Sequence, residues 1–65
     1  MKREPYQRRL LSLEEAATYL GRTIWGVREL VWKGKLPAVR IDRRVQLDIR
    51  DLEKFIEAHK VSEAS

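Results

Sequence analysis

At 65 residues the chain has room for one domain with a small core, for which a net stability of only about 3–5 kcal/mol is expected. It has no cysteine and one histidine, His59; this excludes disulfide stapling, thiolate ligation and any metal site built on paired histidines, so no metal and no cofactor is expected. No apolar run approaches the roughly 18 residues of a membrane span, and Met1-Lys2-Arg3-Glu4-Pro5 lacks a signal peptide's hydrophobic segment, so the reading is a cytoplasmic protein with no membrane partner.

The net charge of +4 is unevenly distributed. Residues 1–11 carry +3, residues 12–21 carry −2, residues 22–44 carry +5 and residues 45–65 carry −2. A polarised field of this kind suits a polyanionic partner.

Residues 1–9 show no periodicity and hold Pro5, which reads as a flexible basic N-terminal arm. A domain over 10–59 follows, then a frayed tail over 60–65. The first helix opens on a capping box: Ser12 is placed to accept from the N3 amide and Glu15 to reach back to the cap amide, with Leu11 stapled on Ala16. Leu13, Ala16, Ala17 and Leu20 share one helical face, and Gly21 stops the helix.

A turn of a residue or two leads to a second helix, capped by Thr23 and running to about Lys33 before Gly34. Its inward positions are Val27, Leu30 and Val31, with Ile24 at the margin. Its outward face is Trp25, Glu29 and Trp32, flanked by Arg28 and Lys33. Gly26 stands in the first turn, where it costs up to about 1 kcal/mol relative to alanine. Either the backbone there approaches something closely or the helix start is loose.

From Leu36 the period changes to two. Val39 and Ile41 alternate with Ala38 and Arg40, and Val45 and Leu47 with Arg44 and Gln46, around a turn at Asp42-Arg43, giving a two-stranded ribbon with arginines at its tip. Pro37 fits the start of an edge strand. Asp48 caps a third helix with Asp51 at N3, and Leu52, Phe55 and Ile56 form an inward stripe expected to cover the other two helices. The fold class is thus mostly α with a small β-ribbon, in the order helix, turn, helix, two-stranded wing, helix. That order holds one helix and one cationic finger against a DNA duplex.

With the elements in place, the sequence resembles the excisionase-like branch of the MerR-type winged helix-turn-helix proteins over roughly Leu10 to Ile56. The segment from Leu10-Leu11-Ser12-Leu13-Glu14-Glu15 to Leu20-Gly21 is similar to that family's first helix. Val27-Arg28-Glu29-Leu30-Val31 and Gly34-Lys35-Leu36-Pro37 are similar to its second helix and exit. Val39-Arg40-Ile41-Asp42-Arg43-Arg44 resembles its wing, and Asp51-Leu52-Glu53-Lys54-Phe55-Ile56 its closing helix. The resemblance implies a small architectural or regulatory factor binding double-stranded DNA, such as those that direct phage and transposon recombinases towards excision, or a transcriptional regulator, associated with the nucleoid. It implies that the second helix enters the major groove with Thr23, Trp25, Arg28 and Lys33 near DNA. Arg43 and Arg44 then reach backbone or adjacent minor groove, with Arg40 beside them on the ribbon. Such helix termini and arginines suit phosphate, guanine edges and narrow minor grooves.

Two positions depart from the family pattern: Ile24 and Trp25 stand where short polar or basic side chains are usual, and Asp42 where the wing turn often has glycine. The larger regulators continue into a coiled coil and an effector domain; this chain ends before either, so no small-molecule effector is implied. The start at Met1 and the polar tail read as a complete small protein. A single domain of this size covers a short site, so further copies of itself on DNA, or a recombinase, are expected partners.

The outward tryptophans leave alternatives open: Trp25 and Trp32 contact DNA, pack on the fold itself, or anchor a protein-protein interface. Arg28 is a DNA contact or pairs with Glu29 or Glu14. Glu14, Glu15, Asp48 and Asp51 sit in first helical turns, where capping and the helix dipole explain them, and His59 sits near a helix C-terminus. No residue constellation supports an enzyme.

Overall fold

The computed structural model describes residues 8–61; most of the basic arm (1–7) and the end of the tail (62–65) lie outside the described residues. The elements are β1 (Leu10–Ser12), α1 (Leu13–Leu20), α2 (Ile24–Trp32), β2 (Val39–Ile41), β3 (Arg44–Asp48) and α3 (Ile49–Ala58). No helix among the described residues is long and apolar enough to cross a membrane.

Local cap chemistry sets the helix boundaries. Ser12 Oγ accepts from the Glu15 amide at 3.1 Å, and a Glu15 carboxylate oxygen accepts from the Ser12 amide at 2.9 Å, so the expected capping box is formed. Gly21 at φ 70° and Gly34 at φ 77° take left-handed conformations that a side chain would strain. Beyond α2, the Lys35 amide donates to Leu30 O at 2.8 Å and the Gly34 amide to Val31 O at 3.0 Å. This paired closure turns the chain back on itself and delivers Leu36 into the core, 1% exposed. The regular strand accordingly begins at Val39, not at Leu36.

The sheet has one strand more than the periodicity indicated. Its order is β1-β3-β2, antiparallel throughout, with Leu11 opposite Leu47 and Arg40 opposite Val45. Arg8 and Arg9, which the sequence places in the arm, are tied to the domain. Arg8 makes a bidentate pair with Glu15 (2.6 and 2.8 Å), and Arg9 Nε donates to Asp48 at 3.0 Å. The Ile49 amide donates to Arg9 O at 2.9 Å. The Arg8 hydrogen bonds, then the Ser12 amide, hold the Glu15 carboxyl below its ordinary range; Arg9, then the Arg50 amide, does the same for Asp48.

The core joins Ala16 and Ala17 of α1, Val27 of α2, Leu36, Leu47 of β3 and Leu52 of α3. The third helix meets the first two through this core, Leu52 lying in it with Ala16, Ala17 and Val27 and Phe55 packing against it, while Ile56 lines the open groove between α2 and α3. Asp48 is both the last residue of β3 and the N-cap of α3, its carboxylate accepting from the Arg50 amide at 2.8 Å, so the helix leaves the sheet with no intervening loop.

Candidate nucleic-acid interface

Gly21, Arg22 and Thr23 form the whole connection between α1 and α2. Thr23 Oγ1 accepts from the Gly26 amide at 3.0 Å, so this hydroxyl oxygen caps the helix. Its position at the end of the turn fixes where α2 starts, and with it the direction of the next side chains. Gly26 is neither crowded nor loose: a Cβ there would lie 3.4 Å from Thr23 Oγ1 and 3.6 Å from Arg22 Nε, ordinary contact distances.

Trp25 and Trp32 are 78% and 87% exposed, so packing on the fold is not their role. The Arg28 guanidinium carbon sits 5.9 Å from the centre of the Trp25 ring, a cation–π approach one helical turn along. Among the described residues Arg28 has no carboxylate partner, so neither Glu29 nor Glu14 claims it. Glu29 is instead paired with Lys33 at 3.6 Å.

Between α2 and the hairpin lies an open groove of about 580 Å³. Leu13, Val31 and Val45, all half-buried, line it together with the exposed Trp25, Arg28, Trp32 and Arg40. Arg40 belongs to this side because it is opposite Val45 in the ladder, on the sheet face that carries Leu47 into the core. Trp25, Arg28 and Arg40 are therefore brought together from the expected set. Lys33 is not in this group; it lines a separate groove of about 660 Å³ between α2 and α3, with Leu20, Leu30, Phe55 and Ile56. Arg43 lies in the hairpin turn and Arg44 opposite Ile41, both exposed, with Arg44 on the sheet face away from Arg40. Trp32, whose role the sequence left open, also lines the α2–hairpin groove, as do Leu13 and Val45, which sequence reasoning did not place in the interface. A signal for Val45 was available in the length of the hairpin turn.

Two helices joined by a three-residue turn, followed by a hairpin and a third helix, define a winged helix-turn-helix domain. Residues 10–60 match the helix-turn-helix domain family, and the chain belongs to it. The family is one of DNA-binding domains, generally without catalytic activity. No curated protein and no solved structure matches the chain.

Proposed function

We propose that this chain binds double-stranded DNA in a sequence-directed way, as an excisionase-type architectural factor in recombination or as a small transcriptional regulator. In this reading α2 enters the major groove, led by Thr23, Trp25 and Arg28, with Lys33 at its far end. Arg40 flanks the same surface, and Arg43 and Arg44 bind backbone or the adjacent minor groove. The observation that carries it is the pairing of an exposed aromatic-cationic helix face with a hairpin bearing three arginines, none of which has a carboxylate partner among the described residues. Copies of the same chain on neighbouring sites, or a recombinase, supply the rest of the specificity. The protein works in the cytoplasm on the nucleoid.

The test is anisotropy of a fluorescein-labelled random duplex titrated with protein at several salt concentrations. Binding that weakens steeply with salt is expected. Arg43→Ala with Arg44→Ala lowers affinity on every duplex and makes the salt slope shallower by up to about 1.8, at roughly −0.9 per phosphate contact. An unchanged slope removes the wing from the interface; no binding at low salt removes DNA as the partner.

A second reading, a protein-interaction module, is favoured by one observation: two highly exposed tryptophans flank a groove with half-buried apolar residues. Sedimentation of wild type and Trp25→Ala at high concentration tests its self-association form. Two strictly monomeric samples argue against that form.

A further inference from the structure

The α2 surface is poor in hydrogen-bonding side chains. Thr23 Oγ1 accepts from the Gly26 amide and keeps only its O–H to donate, Glu29 is paired with Lys33, and the exposed Trp25 and Trp32 have a single indole donor each. In the first turns of the helix this leaves one strong reader of base edges, Arg28, and one large apolar surface, Trp25. The two are not independent, because the guanidinium lies over the indole ring at 5.9 Å.

In a major groove, the apolar group a base pair displays is the C5-methyl of a pyrimidine, while the acceptor pair that suits an arginine fork is O6 and N7 of guanine. Trp25 is the second residue of α2, and the N-terminal residues of a helix-turn-helix recognition helix are those that meet base edges. Resting on the DNA-binding reading above, we propose that Trp25 reads a pyrimidine C5-methyl group and that Arg28, braced on the same ring, reads the guanine of the adjacent base pair. The preferred step is thus a methyl-bearing pyrimidine next to guanine. Thymine and 5-methylcytosine both carry that methyl.

The test starts from a random duplex pool enriched on the wild-type protein and uses three amplifications of the enriched pool: with ordinary nucleotides, with deoxyuridine in place of thymidine, and with 5-methylcytosine in place of cytosine. Burying one methyl group contributes about fourfold in affinity. If thymine supplies it, the deoxyuridine pool binds about fourfold more weakly per methyl read, and Trp25→Ala binds the thymidine and deoxyuridine pools alike. If 5-methylcytosine supplies it, the third pool binds more tightly by a similar factor, and Trp25→Ala erases that gain. Trp25→Ala tests contact rather than folding because the side chain is largely exposed, and an unchanged circular-dichroism melt confirms this. Equal binding of all three pools by the wild type, or a difference that persists in Trp25→Ala, overturns the proposal while leaving DNA binding intact. Absence of any salt-sensitive binding or enrichment overturns the DNA-binding reading itself.

Discussion

Asp42 is the one non-glycine among the described residues with a positive φ, 57°. A left-handed residue with a Cβ costs about 1–2 kcal/mol, less for aspartate, whose short side chain bonds locally. The position also places a carboxylate beside Arg43 and Arg44, at the tip proposed to meet phosphate. Asp42→Gly is therefore expected to raise stability by up to about 1 kcal/mol in urea titrations and to tighten duplex binding at low salt. Asp42→Asn separates the two effects: it tolerates the same backbone, so binding improves while the urea midpoint barely moves. Gly26 offers the opposite lesson. Its surroundings accept a methyl group at ordinary contact distance, so Gly26→Ala should stabilise α2 by up to about 1 kcal/mol, seen as a higher urea midpoint with an unchanged slope.

Among the elements, those whose signals are local were legible in the sequence. Ser12 and Glu15, Thr23, Asp48 and the two left-handed glycines lie within a few residues of the groups they satisfy, and the helices follow from them. The strands were not fully legible. β1 is three residues long, overlaps the staple and cap of α1, and finds its partner only where the chain returns, with Leu11 opposite Leu47. Hairpin faces were legible only through the length of the turn, not through the alternation of apolar residues. A two-residue turn between Ile41 and Arg44 pairs odd positions of β2 with even positions of β3, so Val39 and Ile41 share a face with Gln46 and Arg44. Arg40, not Ile41, joins Val45 and Leu47. Ile41 is accordingly 51% exposed, and Arg40 reaches the groove beside α2. The β1 attachment has a pH signature. The Glu15 and Asp48 carboxyls are held below their ordinary range by Arg8 and Arg9. The unfolded chain thus binds more protons as pH falls, and the stabilisation present above about pH 4 is lost on further acidification through the folded-state values. Thermal melts from pH 7 to pH 2 should show this decline, and Glu15→Gln with Asp48→Asn should flatten it while lowering the melting temperature at pH 7.

At the scale of the whole molecule the decisive fact is how few side chains close the core. Leu47 and Leu52, both fully buried, join Val27, Leu36 and two alanines, so each helix, together with β3, is represented by one or two residues. Replacing Leu52 by alanine costs about 2–5 kcal/mol, the same size as the total of about 3–5 kcal/mol expected for a domain this small. Leu52→Ala should thus be largely unfolded at 25 °C by far-UV circular dichroism, whereas Trp32→Ala should melt like wild type. Tryptophan emission is a poor reporter of this loss because both indoles are already exposed in the folded state. If duplex DNA binds the folded chain alone, a free duplex concentration of about 100 times Kd adds about 2.7 kcal/mol. That is enough to restore much of the helical signal of Leu52→Ala and to raise the wild-type melting temperature by more than about 10 °C at low salt. Both effects should fade together as salt is raised, since the contacts that supply them release counterions. A melting temperature indifferent to DNA at low salt would mean that the folded chain does not bind the duplex, whatever the charge on its second helix and wing.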